Sequence, residues 1–252
     1  MAESRSPDMR VFPDLHKASQ ALAERLIEVA RDVLAAKGRF ALALSGGKTP
    51  RYLYTFLARE CSSEISWERV HLFWSDERCV SQESEDSNFA MAYNTLISKV
   101  PLPSQNIHRI PAEINPPEKA AGNYERTIRE FFKPAEEEDS FLFDAMILGV
   151  GEDGHTASLF PGSSALGEKG HWVLAVNAPS SFSPQKRITL TLPLINRSRS
   201  IFFLASGAKK REVVGGILKN PETARSLYPA AMIHTLGSVA WYIDREILND
   251  KP

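Results

Sequence analysis

Short apolar runs recur along this chain, each bounded by glycine, serine or charged residues: Phe40-Ala41-Leu42-Ala43-Leu44, Val70-His71-Leu72-Phe73-Trp74, Phe143-Asp144-Ala145-Met146-Ile147-Leu148 and Ile201-Phe202-Phe203-Leu204-Ala205. A strand covered on both faces reads as a nearly unbroken apolar run. The stretches between them have helical spacing. Residues 14–37 place Leu15, Ala18, Leu22, Ile27, Ala30 and Leu34 along one stripe and stop at Gly38. Thr49-Pro50 opens a second helix with a cap residue and a first-turn proline. Helices are also expected over residues 88–98, from Pro116-Pro117 towards Phe132, and over 209–219 before Asn220-Pro221. Residues 107–110, 173–176, 188–192 and 239–243 supply further strands, and Glu136-Glu137-Glu138-Asp139 is expected as a solvated loop. The pattern specifies an α/β fold, a mostly parallel Rossmann-like sheet with helices on both faces. A loose tail over residues 1–10 and one domain over 11–252 are expected, with no internal repeat.

Composition narrows the function. A formal charge of −1 excludes the strongly basic footprint of a general nucleic-acid binder. No apolar run reaches the ~20 residues that span a bilayer, and residues 1–8 lack the apolar centre of a secretory signal. Cys61 and Cys79 have neither metal nor redox spacing, so free thiols in a reducing cytoplasm are expected.

In an open parallel sheet, ligands sit beyond the carboxyl ends of the strands, so the residues after each run carry the chemistry. Residues 143–148 lead into Gly149-Val150-Gly151-Glu152-Asp153-Gly154-His155-Thr156. Glycines bring backbone close to a ligand, and His suits proton transfer near neutral pH. Gly149, Gly151 and Gly154 match the dinucleotide fingerprint. Pro161 cuts short the helix that fingerprint requires, and the next run ends at Asn177 instead of an acidic residue. A dinucleotide site is therefore not expected.

Residues 45–50, Ser45-Gly46-Gly47-Lys48-Thr49-Pro50, contain Gly-Lys-Thr, but Leu42 stands where a P-loop needs its first glycine. What remains is a glycine turn entering a helix N-terminus, where free amides and the helix dipole favour an anion. Ser75-Asp76-Glu77-Arg78 follows the second run directly. Asp76 suits proton transfer or orientation of another group there, and the Arg78 fork suits an oxyanion or a phosphate. Lys186-Arg187 and Ser206-Gly207-Ala208-Lys209-Lys210 add basic residues beside further strands. Together they make a phosphate cage plausible chemistry.

These segments, with Ala157-Ser158-Leu159-Phe160-Pro161 and Arg187-Ile188-Thr189-Leu190-Thr191-Leu192-Pro193, carry a resemblance. The chain resembles the glucosamine-6-phosphate deaminase/6-phosphogluconolactonase family, and its 6-phosphogluconolactonase branch in particular. The matching motifs run in order from Leu44 to Lys210. The resemblance implies a fold shared with glucosamine-6-phosphate deaminase and ribose-5-phosphate isomerase. It also implies hydrolysis of 6-phosphoglucono-δ-lactone in the oxidative pentose phosphate pathway, without metal or organic cofactor.

On that basis His155 is the expected base for water, held by Asp153 or Asp76. Backbone amides of Gly151 and Gly154 are the expected oxyanion donors, with Arg78 serving either the oxyanion or the phosphate. Ser45, Gly46, Gly47, Arg187 and Lys210 are expected around the phosphate. The family spacing, a lysine three residues after the glycine, selects Lys210 over Lys209. An isomerase or deaminase of the same fold would use Asp76 as its base, and a sugar-phosphate sensor would keep the cage without catalysis. Arg78 after Asp-Glu, and His-Thr-Ala-Ser-Leu-Phe-Pro, favour the lactonase. A small phosphorylated sugar lactone is the expected partner, with no nucleic acid or membrane; oligomeric state is not legible.

Overall fold

The computed structural model describes residues 8–133 and 140–248. Residues 1–7 of the expected tail and the acidic segment 136–139 lie outside the described residues.

Strand β1 (Asp8–Phe12) leads to helix α1 (Leu15–Lys37). The Asp14 side chain accepts the Lys17 N–H at 2.8 Å and caps this helix. Gly38, at φ +74°, ends it by returning its N–H to Leu34 O at 3.0 Å. Leu22 and Leu26 of its inner stripe are fully buried, and truncating such a leucine to alanine costs about 2–5 kcal/mol. Next come β2 (Phe40–Leu44), α2 (Lys48–Glu60), β3 (Val70–Trp74), β4 (Asp76–Arg78) and α3 (Asn88–Thr95). They are followed by α4 (Pro117–Phe132), β5 (Ala145–Leu148), β6 (Val173–Asn177), β7 (Lys186–Leu190) and α5 (Leu192–Ile195). The chain continues through β8 (Ser200–Ala205), α6 (Arg211–Lys219), α7 (Pro221–Leu227), β9 (Ser238–Asp244) and α8 (Arg245–Leu248).

Six parallel strands form the main sheet in the order β1-β9-β8-β5-β2-β3. β2, β5 and β8 are buried along their whole length, as unbroken apolar runs require. Asp144, the polar interruption before β5, is satisfied by Lys37 at 2.6 Å and the Ala41 N–H at 2.9 Å. The chain moves from β2 out to β3, then returns to lay β5 on the other side of β2. That reversal opens a crevice at the carboxyl ends of β2 and β5, the place where such sheets bind ligands.

Three expectations are corrected. Residues 8–10, assigned to the tail, belong to β1 and pair in parallel with β9. The strands expected over 173–176 and 188–192 do not join the parallel sheet; β6 and β7 form an antiparallel sheet with β4. The strand expected over 107–110 reduces to an isolated bridge between Leu72 and Ile107.

Candidate active site

β5 ends in a tight turn whose hydrogen bonds close on themselves. Gly151 N–H donates to His155 O at 2.8 Å, Gly154 N–H to Gly151 O at 3.2 Å, and Thr156 Oγ1 to Gly149 O at 2.9 Å. A Cβ on Gly151 would lie 2.1 Å from His155 Nδ1, so only glycine leaves room for the imidazole. The turn presents Asp153 and His155 together. Asp153 Oδ1 lies 2.6 Å from His155 Nδ1 and also accepts the His155 N–H at 3.1 Å. Burial pushes the Asp153 carboxyl up, but its hydrogen bonds and the charge of His155 together hold it below the usual carboxylate range. An ionised carboxylate accepts a proton at Nδ1 and leaves Nε2 with its lone pair. Phe160 and Phe182 flank the imidazole, with ring centroids at 4.7 and 5.3 Å.

Asp153, not Asp76, is therefore the partner of His155. Asp76 accepts Ser158 Oγ at 2.7 Å and Asn88 Nδ2 at 3.3 Å. One expectation is corrected, that of the oxyanion donors. The Gly151 and Gly154 amides expected to stabilise it already donate within the turn.

The small antiparallel sheet supplies the cations. Alternation along β4 separates Glu77 from Asp76 and Arg78. Glu77 turns away from them and accepts the backbone N–H groups of Arg78, Asn88 and Phe89, each at 2.8 Å, with Ser87 Oγ at 3.1 Å. Three of these donors, from Ser87, Asn88 and Phe89, tie the segment entering α3 to the strand. On the opposite face Arg78 is the direct cross-strand partner of Arg187, and Asp76 that of Thr189. Ser158 bridges the second pair, its Oγ on Asp76 and its N–H on Thr189 Oγ1 at 3.1 Å. A line of polar groups thus runs from the arginine pair to the turn that carries His155.

Arg78 Nη1 donates to Asp86 O at 2.6 Å and Arg187 Nε to Pro184 O at 2.7 Å. Burial, then the adjacent Arg78 charge, push Arg187 below the ordinary arginine range. Like charges directly opposite in a sheet destabilise it unless an anion joins them. Lys210 belongs to a different group. It is half-buried, and burial holds its ammonium below the ordinary lysine range although Glu152 and Asp153 oppose the shift. Lys209 is exposed and pairs with Glu152 at 3.6 Å.

Ser45, Gly46 and Gly47 close the other side of the crevice. Gly47, at φ +100°, enters α2 without a side-chain cap. A Cβ on Gly46 would fall 1.8 Å from Asn88 Oδ1. Asn88 Oδ1 and Ser45 Oγ are buried without a hydrogen-bond partner. Asn88, Ser158, Thr189 and Phe182 are site residues without an expected role in the sequence reading. A separate hollow of about 590 Å³ beside α2, lined by His16, Tyr52, Phe56 and Arg59 among others, contains none of the assigned residues. Among the described residues, no group of three or more His, Cys, Asp or Glu side chains is placed to hold a metal ion.

The sequence matches the family described as glucosamine-6-phosphate isomerases/6-phosphogluconolactonase over residues 13–241. The chain belongs to this family. A 6-phosphogluconolactonase of Synechocystis is 41% identical over 213 residues, covering 84% of this chain and 85% of the relative. The crystal structure of devB protein superposes with a TM-score of 0.84 at 34% identity, covering 95% of this chain and 97% of that one. The crystal structure of 6-phosphogluconolactonase from Thermotoga maritima gives 0.80 at 30% identity, covering 95% and 100%. Family membership accounts for the parallel sheet and its crevice. One fold hosts several reactions, so the roles of individual residues are argued from the geometry of the site.

Proposed function

We propose that the protein hydrolyses 6-phospho-D-glucono-1,5-lactone to 6-phospho-D-gluconate, as a 6-phosphogluconolactonase of the oxidative pentose phosphate pathway. The observation that carries the mechanism is the 2.6 Å Asp153–His155 contact at the end of β5. His155 Nε2 takes a proton from water as the water oxygen bonds to the lactone carbonyl carbon. Asp153 holds the ring and balances the imidazolium that forms. A base placed in this way contributes ~10²–10⁴-fold. The tetrahedral oxyanion then collapses, the bond to the ring oxygen breaks, and the imidazolium returns its proton to that oxygen. The product acid ionises, so each turnover releases one proton.

Arg78 and Arg187 supply the paired guanidiniums for the phosphate, with the Ser45-Gly46-Gly47 turn beside them. Lys210, whose charge lies near Asp153, is assigned to the carbonyl oxygen in place of the engaged glycine amides. Asp76, held by Asn88 and Ser158, orients the substrate between these ends. Two unpaired thiols, Cys61 and Cys79, support a cytoplasmic setting. Among the described residues, no helix is long and apolar enough to cross a membrane.

Freshly generated lactone, followed by carbon-13 NMR against its spontaneous hydrolysis, tests the reading. Faster appearance of 6-phosphogluconate supports it. A spontaneous rate, with ammonia release from glucosamine 6-phosphate, would assign the site to the deaminase reaction instead.

A further inference from the structure

The loop between β6 and β7, residues 178–185, crosses the site. It is closed by Ala178 N–H to Gln185 O at 2.8 Å and Phe182 N–H to Pro179 O at 2.9 Å. Pro179, Ser180, Ser181, Ser183 and Gln185 are exposed. Phe182 alone among its central residues turns inward. Its ring meets the His155 imidazole edge-on at 5.3 Å and 90°, and Phe160 at 5.2 Å. Two residues later, Pro184 O accepts Arg187 Nε at 2.7 Å. One short loop therefore touches both the base and a cation assigned to the phosphate.

We infer that Phe182 is a positioning residue for His155, and that the Arg187–Pro184 hydrogen bond ties its placement to occupation of the phosphate site. The inference rests on the lactonase reading above. A guanidinium is a rigid planar fork. With Nε on the Pro184 carbonyl, the Nη groups remain for an anion. An anion that fixes those groups also fixes the plane, and with it the carbonyl and the loop. Without an anion, the Nη groups lack that anchor and the Arg78 charge repels Arg187. The phosphorylated substrate thereby completes the wall around the imidazole, while its lactone end lies against the base.

The test is a double-mutant cycle on the phosphorylated lactone. Phe182→Ala is expected to lower kcat about tenfold or more with KM within about threefold, since small misplacement of a reacting group costs that much. Phe182→Leu, which keeps an apolar side chain there, should recover most of the loss. In an Arg187→Lys background, one ammonium cannot serve carbonyl and phosphate together, so Phe182→Ala should cost less than about threefold further. Equal losses in the two backgrounds, a loss confined to KM, or no loss would overturn the inference. Thermal melts of the four proteins confirm folding. A folded wild type without turnover would overturn the lactonase reading itself, a result distinct from additivity in the cycle.

Discussion

Arg78 and Arg187 stand directly opposite each other on adjacent antiparallel strands, each hydrogen-bonded to a backbone carbonyl and not to a carboxylate. Two guanidiniums so placed repel one another until an anion joins them. Inorganic phosphate should therefore stabilise the wild type, by about 2.7 kcal/mol at one hundred times its Kd. Arg187→Met should abolish that gain and raise KM for the phosphorylated lactone ~10–100-fold, the value of charge-assisted hydrogen bonds. Thermal melts with and without phosphate, together with steady-state kinetics, check this. Undiminished phosphate stabilisation in Arg187→Met would place the anion elsewhere.

Lys210 is predicted to act on the other end of the substrate. Removing one donor to a developing oxyanion typically costs ~10²-fold or more in kcat. Lys210→Met should show that loss with KM little changed, the reverse of Arg187→Met. A KM effect without a kcat effect would return Lys210 to the phosphate cage.

The sequence made the main sheet readable because β2, β3, β5 and β8 are local apolar runs whose burial needs no partner to be recognised. β1 was not readable. Three of its five residues are exposed and two half-buried, and what makes them a strand is pairing with β9 at the far end of the chain. β4 failed for a related reason. Asp76-Glu77-Arg78 has the composition of a solvated loop, and its burial depends on β7 and on the four donors gathered by Glu77. At the site, His155 and Asp153 were legible because one turn holds both. Asn88 was not, since nothing local ties it to Gly46 or Asp76. A glycine pair after a strand was the one available signal that something must approach there closely.

That close approach gives a stability prediction. Gly46→Ala sets a methyl group into the Asn88 amide, 1.8 Å from Oδ1, so one of them must move. Overpacking of this kind costs about 1–3 kcal/mol. Urea denaturation should show that loss, and Asn88→Gly in the same chain should recover part of it. Simple additivity of the two substitutions would contradict the contact.

His71 Nδ1 and His108 Nε2 lie 3.1 Å apart, against Phe131 and Phe73. Burial depresses both imidazoles, His108 to about 4. The unfolded chain, with histidines near ~6.5, therefore takes up protons first as pH falls. The pair contributes its full stability above about pH 6.5 and loses it on the way down to about 4, with no loss on the alkaline side. Partial solvent access limits the loss to on the order of 1–2 kcal/mol. Urea denaturation between pH 7.5 and 4.5 should show this slope, and His71→Gln/His108→Gln should flatten it. An unchanged slope in the double variant would assign the acid loss to other groups.

Proton release from freshly generated 6-phosphoglucono-δ-lactone, with spontaneous hydrolysis subtracted, most directly tests the central claim when wild type is compared with His155→Asn. The account predicts fast turnover in the wild type and a fall of about two to four orders of magnitude in the folded variant. Equally fast turnover in both would keep the lactonase activity but remove His155 as the base.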